Sequence, residues 1–358
     1  MREEHDVPLA GLTTMRVGGP AARLVTATTT DEVVDAVREV DDADEPLLVV
    51  TGGSNVVIAD EGFAGTVVRI ASDGVAVESD DLCGGVMVRV AAGVPWDELV
   101  ARAVAEGWSG IEALSGIPGG TGATPVQNVG AYGQEVAQTI ASVRVWDRSE
   151  QRVRTFASAE CRFTYRHSIF KGTSRFVVLD VLFQLLPGDL SRPVGYADLA
   201  RQLDVAVGDR VPLADARQAV LSQRGRRGMV LDAADHDTWS CGSFFTNPIL
   251  SASRFAALES RAATRLGPDG PTPPRFADPG GGTKTSAAWL IEQAGFTKGF
   301  ALPGSSAAIS SKHTLALTNR GGATAAQVAD LARAVRDGVH DAFGVTLVNE
   351  PVLVGHDL

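Results

Sequence analysis

Residues 115–133 read SGIPGGTGATPVQNVGAYG. With Gly110 just upstream, the stretch gathers seven glycines, at 110, 116, 119, 120, 122, 130 and 133, and residues 115–133 carry no Lys, Arg, Asp or Glu. Exposed loops usually carry charge; here small side chains let the backbone come close to something, and glycine tolerates the required φ freely. Backbone N–H groups in such a turn form an anion-binding concavity. Gln127, Asn128 and Tyr132, set between the glycines, argue for a polar ligand rather than an empty turn. The stretch reads as a cradle for the pyrophosphate and the flat ring of a large cofactor; the alternative is a glycine-rich surface loop.

Working outward, residues 47–51 are a short apolar run, read as a buried strand. It ends in Gly52-Gly53-Ser54-Asn55, a second small-residue turn, and a strand feeding such a turn presents N–H groups to phosphate. Before it come an irregular entry, a short strand at 22–26 and a helix through Val40. Thr29 and Glu32 make a capping box for that helix, with Val33, Val37 and Val40 on one face. Strand alternation follows at 66–70, 75–77 and 86–91, broken by Asp-Gly and Gly-Gly turns. Pro95 then opens a helix with Trp96, Leu99, Val100, Ala103 and Val104 on one side, and Gly107 ends it. Beyond the cradle, strands are expected at 142–147, 152–156 and 175–186. The pattern weakens over 190–211, where a domain boundary is placed. Helices are then expected at 213–224, 253–265, 286–294 and from Thr324, whose capping partner is Gln327. Strands are expected near 242–246, 314–318 and 345–347. This is an α+β arrangement without the strict βαβ alternation of a dinucleotide fold.

The chain has 358 residues, enough for two or three domains. Its net charge of −11 argues against a general nucleic-acid surface. The three cysteines, Cys83, Cys161 and Cys241, form no CxxC pair, so neither a zinc knuckle nor a disulfide framework is indicated, which fits a reducing cytoplasm. The N-terminus has no apolar h-region and no run approaches a membrane span. A soluble cytoplasmic monomer, bound to neither membrane nor nucleic acid and without a metal, is the expectation.

Two phosphate motifs are excluded. GGGTKT at 280–285 has Thr283 where Walker A needs glycine before the lysine, and Gly120-x-Gly122-x-x-Pro125 lacks the third Rossmann glycine. Tyr165-Arg166-His167-Ser168-Ile169-Phe170 packs cation, imidazole, hydroxyl and aromatics together; Arg166 could clamp a carboxylate or simply stack on a tyrosine. Ser243, between Gly242 and the pair Phe244-Phe245, sits either at the edge of a dry pocket or as a satisfied buried serine, and no nucleophile elbow surrounds it. Glu350 is either a site acid or a solvated terminal charge. Lys312-His313 could reach a ligand phosphate or flank a turn.

In order and spacing, GGSN at 52–55, IPGGTGATPVQNVGAYG at 117–133, CRFTYRHSIFK at 161–171 and GSFFTNP at 242–248 make the chain resemble the UDP-N-acetylenolpyruvoylglucosamine reductases, the MurB flavoenzymes of peptidoglycan precursor synthesis. The resemblance covers nearly the whole chain. It implies a two-lobed FAD-binding unit of the PCMH/vanillyl-alcohol-oxidase type and a separate α/β substrate-binding domain. Lobe 1 would be residues 1–73 and lobe 2 residues 74–210; the substrate domain, 211–358, would send a C-terminal strand back to the active site. Non-covalent FAD would be held by Gly52, Gly53, Ser54, Asn55, Pro118, Gly119, Gly122, Ala123, Gln127, Asn128, Gly130, Tyr132 and Tyr165. Arg166 matches the catalytic arginine, Ser243 the proton donor and Glu350 the catalytic glutamate. Tyr196 matches the tyrosine of a mobile loop that closes over the substrate diphosphate, where Asn247 would also lie, and His313 is counted with the substrate residues. Two departures stand out. Arg227 takes the place of the family's substrate-binding lysine, and Asn349-Glu350-Pro351 replaces the usual Pro-Glu-Val.

The implied reaction passes hydride from NADPH through FAD to the vinyl carbon of UDP-N-acetylglucosamine enolpyruvate. Two rivals stand beside it. One is an oxidase of the same cofactor fold acting on alcohols or sugars. Many of those attach flavin through histidine, and neither glycine turn contains one. The other is a non-catalytic nucleotide-sugar sensor, which a lost arginine, serine or glutamate would favour; all three are present.

Overall fold

The computed structural model describes residues 1–81, 84–278 and 280–358; Cys83 lies outside the described residues. The chain forms two compact units. The first comprises Met1–Pro8, Pro20–Gly53 and Phe63–Val230, and the second Leu9–Gly19, Ser54–Gly62 and Leu231–Leu358.

The first unit is built on two sheets. One runs in the order Arg2–Pro8, Pro20–Ala27, Phe63–Ile70, Leu47–Val50. Its first pair is antiparallel and the other two are parallel. Parallel strands need a crossover, and helix α1 (Thr30–Asp42) supplies it with Val33, Val37 and Val40 buried. Thr29 caps α1 by accepting the Glu32 N–H, while the Glu32 carboxylate takes the Thr28 N–H at 2.7 Å, so only half of the expected capping box forms. The entry expected to be irregular is the strand Arg2–Pro8. Its run of charge hides it from an apolar-alternation reading, and charge suits a sheet edge.

The second sheet is antiparallel, in the order Arg152–Ala157, Ile140–Asp147, Phe176–Pro187, Gly85–Ala91, Val75–Asp81. Helix α2 (Trp96–Ala105) buries Trp96, Leu99, Val100 and Ala103 in the same core as Val88, Val181 and Phe183 of this sheet. Helices α3 (Ala197–Leu203) and α4 (Leu213–Arg226) close the unit over a small core of Val194, Leu199, Ala216 and Val220. This unit runs past residue 210 to Val230 because α4 is tied to the cradle. Arg217 grips Asp97 through two bonds of 2.7 and 2.8 Å, and Arg224 donates to the Gly116 carbonyl at 3.4 Å.

The second unit gathers α5 (Ala252–Leu266), α6 (Ala287–Ala294) and α7 (Ala325–Phe343) around Phe255, Leu258, Leu290, Ile291, Leu331, Val335 and Phe343. The capping box at Thr324 and Gln327 forms as expected. A parallel pair joins Val56–Ile58 to Val352–Val354. The strand expected at 345–347 is absent. Val345 and Leu347 are buried in the core as expected of a strand, but the ladder forms further along, at Val352–Val354. The strand expected at 242–246 reduces to a bridge at Phe245, and that expected at 314–318 lies at Leu317–Asn319. Among the described residues, no helix is long and apolar enough to cross a membrane.

Candidate active site

In the first unit the two glycine turns press together. A Cβ on Gly52 would lie 2.7 Å from the Cα of Gly119, and one on Gly120 would lie 2.7 Å from the Cβ of Thr51. Gly53 and Gly119 have φ of 55° and 116°, open only to glycine at little cost. Gly122 is required for packing: its Cβ would stand 2.4 Å from that of Ala92. The Gly122 and Ala123 amides donate within the chain, to the carbonyls of Ala92 at 2.9 Å and Gly120 at 3.0 Å. Pro118 directly precedes Gly119 in the second of these turns. An uncharged, small-sided wall of closely apposed backbone fits a large planar cofactor with a diphosphate tail.

Asn128 braces the far end of the cradle. It is 1% exposed; its amide donates to Glu135 and to the Thr164 carbonyl, and its carbonyl oxygen accepts from Ala137 N. Arg166 lies across this corner. Its guanidinium donates to the carbonyls of Gly130 at 2.6 Å and Asn128 at 3.4 Å, and stacks 5.2 Å from the Tyr165 ring. Gln127 lies in the turn leading into Asn128. Tyr132 and Arg166 both have positive φ, 50° and 55°, a conformation that non-glycine residues hold only where surroundings enforce it. The ring of Tyr196, half exposed at the start of α3, meets Tyr132 edge-on at 6.1 Å. Arg227, just after α4, pairs with Asp198 at 3.3 Å. Tyr132, Arg166, Tyr196 and Arg227 therefore all belong to the first unit.

In the second unit, Ser243 follows a turn at Gly242 with φ 73° and is half-buried beside the buried Phe244 and Phe245. The backbone there is pinned on both sides: Phe244 N donates to the Leu315 carbonyl at 2.7 Å, and Glu350 N donates to the Phe244 carbonyl at 2.8 Å. Phe245 bridges Asn349, and Thr246 N donates to the Val348 carbonyl at 3.0 Å. This crossing joins the segment that follows Ser243 to the segment that carries Glu350. Asn55, expected at the cofactor, donates from its side chain to the Glu350 carbonyl at 3.2 Å, and its own carbonyl accepts Val352 N at 2.9 Å. Ser54 opens the same segment of this unit. The Asn247 side chain accepts the Ala287 N–H at 3.0 Å and so helps to start α6. His313 lies in a turn whose amide donates to Ser310 Oγ at 3.2 Å, while the neighbouring Lys312 ammonium pairs with Asp235.

Three supporting residues escaped the sequence reading. Glu112, 2% exposed, accepts from Gly110 N at 2.7 Å, Arg192 N at 2.6 Å and the Gln134 amide at 2.9 Å. Asp97 accepts Gly116 N at 2.6 Å. Arg224 is buried beneath Gly116, and burial draws its guanidinium down to about 10, still charged at neutral pH. A lone acid just before the uncharged stretch was the available signal for Glu112; Arg224 had none. Burial pushes the Cys161 and Cys241 thiols up to about 12, so neither offers a thiolate near neutrality.

Comparison with known proteins follows the same lines. Residues 21–155 match the FAD binding domain family, and residues 233–354 match the family described as UDP-N-acetylenolpyruvoylglucosamine reductase, C-terminal domain. The chain is 59% identical over 352 residues to the UDP-N-acetylenolpyruvoylglucosamine reductase of Thermobifida fusca, covering 98% of each. It is 57% identical over 360 residues to that of Streptomyces avermitilis, covering 100% of this chain and 96% of the relative. The crystal structure of the reductase from Thermus caldophilus aligns with TM-score 0.65 at 26% identity, covering 99% of both chains. Such identity over essentially the full length means that the chain belongs to the UDP-N-acetylenolpyruvoylglucosamine reductase family of FAD-dependent oxidoreductases.

Proposed function

We propose that this protein reduces UDP-N-acetylglucosamine enolpyruvate to UDP-N-acetylmuramate, with NADPH as hydride donor and non-covalent FAD, in peptidoglycan precursor synthesis. The observation that carries the proposal is the crossing that bonds Glu350 N to the carbonyl of Phe244, the residue after Ser243. FAD, when bound, would supply the redox chemistry that links NADPH to the vinyl carbon. Gly52, Gly53, Pro118, Gly119, Gly122 and Ala123 shape its diphosphate side. Ser54, Asn55, Gln127, Asn128, Gly130, Tyr132 and Tyr165 complete the flavin-binding set. Arg166 stabilises the charge that develops on the substrate carboxylate, a role suited to a guanidinium already oriented by two carbonyls. The Ser243 hydroxyl gives its proton to the carbon adjacent to the one that takes hydride. A serine is a weak acid and protonates only a strongly basic carbon, which an enolate supplies; the buried phenylalanines beside it exclude bulk water. Glu350 joins the hydrogen bonding of the same charge.

Tyr196, Arg227, Asn247 and His313 bind the nucleotide-sugar, Tyr196 and Asn247 at its diphosphate. The FAD lobes at 1–73 and 74–210, the substrate domain from 211, a monomeric state and a cytoplasmic location free of membrane and nucleic acid belong to the same proposal. It is tested by the visible spectrum of the purified protein under anaerobic conditions. NADPH should bleach the flavin, and the enolpyruvyl substrate should restore its colour. Acid precipitation should release the yellow colour to the supernatant. A protein bleached by NADPH but not recoloured by the substrate would refute the reading.

A further inference from the structure

Helices α3 and α4 face each other across an open cavity of about 430 Å³ lined by Asp198, Arg201, Gln202, Gln223, Arg226 and Arg227. The spacing is the same on both sides. Asp198, Arg201 and Gln202 stand at i, i+3 and i+4, as do Gln223, Arg226 and Arg227, so each set forms one helical face. Three guanidiniums and one carboxylate leave two positive charges, within a chain whose net charge is −11. Asp198 is shared between Arg201 at 3.4 Å and Arg227 at 3.3 Å. Among the described residues, Arg226 bonds neutral oxygens, Gln202 Oε1 at 2.5 Å and Ser222 Oγ at 3.0 Å. A second observation is independent of charge. Gln223 is 5% exposed, and among the described residues its buried Oε1 has no hydrogen-bond partner. A buried acceptor left unmatched is costly, and a ligand hydroxyl would satisfy it.

We propose that this cavity takes the ribose 2′-phosphate of NADPH and is what selects NADPH over NADH; the inference rests on the reaction proposed above. A phosphomonoester with second pKa about 6 is nearly a dianion at neutral pH, matching the two uncompensated positive charges. Arg201 and Arg226 hold its oxygens through the guanidinium fork. Gln223 Oε1 accepts the adjacent 3′-hydroxyl. The UDP-sugar offers a different pattern, a diphosphate whose phosphates are both esterified and each carry one charge.

The test uses the FAD-loaded enzyme and two probes, 2′,5′-ADP and 5′-AMP, in titration calorimetry. Wild type should bind 2′,5′-ADP about 10–100-fold more tightly, the worth of charged hydrogen bonds. The double variant Arg201→Gln/Arg226→Gln, altered only at exposed side chains, should bring the two probes within about threefold and keep its FAD. Gln223→Leu should weaken 2′,5′-ADP without changing 5′-AMP. In stopped-flow, the double variant should raise the KM for NADPH by about 10–100-fold while leaving reduction by NADH and reoxidation by the UDP-sugar unchanged. Equal affinity of wild type for the two probes, an unaffected double variant, or equal losses with NADPH and NADH would overturn the proposal. Loss confined to the UDP-sugar step would reassign the cavity to the substrate diphosphate and overturn it too. A protein reduced by neither nucleotide would instead sink the proposed reaction itself.

Discussion

The two units hold their proposed site residues by different means. In the first, Arg166 is held through its own side chain: carbonyls of Gly130 and Asn128 grip the guanidinium, and the backbone beneath it is strained at φ 55°. In the second, the main chain on either side of Ser243 is held, by the Phe244–Leu315, Glu350–Phe244 and Thr246–Val348 bonds. A side chain held by its tip has a fixed geometry, and the structure depends on it. A side chain held at its root can be exchanged with little effect on the fold, so its chemistry is separable from its architecture.

The largest expected effect exploits that separability. Ser243→Ala should slow flavin reoxidation by the enolpyruvyl substrate by about 10²–10⁴-fold, the usual worth of a positioned acid, while reduction by NADPH and the melting temperature stay at wild-type values. Anaerobic stopped-flow of each half-reaction reads this, and a near-normal reoxidation rate would make Ser243 a packing residue. Arg166→Lys comes next. It keeps the charge but loses the fork, so we expect a loss of about 10²–10³-fold in the same step, as for removal of a preorganised donor. Unlike the serine variant, it should also lower the melting temperature; an unchanged melting curve would break the comparison. Gly122→Ala tests the cradle as packing. Its Cβ would meet Ala92 at 2.4 Å, and overpacking of this kind costs about 1–3 kcal/mol, readable as a lowered midpoint in denaturant.

The smallest effect concerns Asp97, which ties Gly116 to Arg217. Burial raises its pKa, but the bonds from Arg217 and Gly116 N–H outweigh burial and hold it below the ordinary carboxylate value. Its contribution is therefore complete above the unfolded value near about pH 4 and is lost as pH falls through the lower folded value. Asp97→Asn should melt about 1–3 °C lower at neutral pH, given the modest worth of a partly exposed pair, and should show a flatter decline below about pH 4. Parallel acid profiles for the two proteins would mean that Asp97 contributes nothing through its charge.

What was legible in the sequence was local. The cradle announced itself because its requirement, backbone approach, is met by glycine within one stretch. The starts of α1 and α7 were readable because capping by Thr29 and Thr324 involves residues three apart. What was hidden depends on distant partners. Arg2–Pro8 is polar over its first five residues and becomes a strand because Pro20–Ala27 lies beside it. Helix α3 is only seven residues long, too short to show a period. The last strand is expected at 345–347, yet the partner strand Val56–Ile58 pairs with Val352–Val354 instead. In the site, Ser243 and Glu350 each looked ordinary in sequence, and Asn55 looked like part of a phosphate turn; the crossing that unites them is a property of the folded chain.

The pairing of Val56–Ile58 with Val352–Val354 also sets an order of events at the ribosome. The segments Leu9–Gly19 and Ser54–Gly62 are made early, yet they belong to a unit whose remaining residues begin at Leu231. Until Val352–Val354 has been made, Val56–Ile58 lacks the strand it pairs with, and loop closure over so long a stretch is slow. In that interval the nascent chain carries a strand edge open to other chains, the condition in which aggregation and chaperone capture compete with folding. A shortened chain ending at Val230 would keep that edge permanently open.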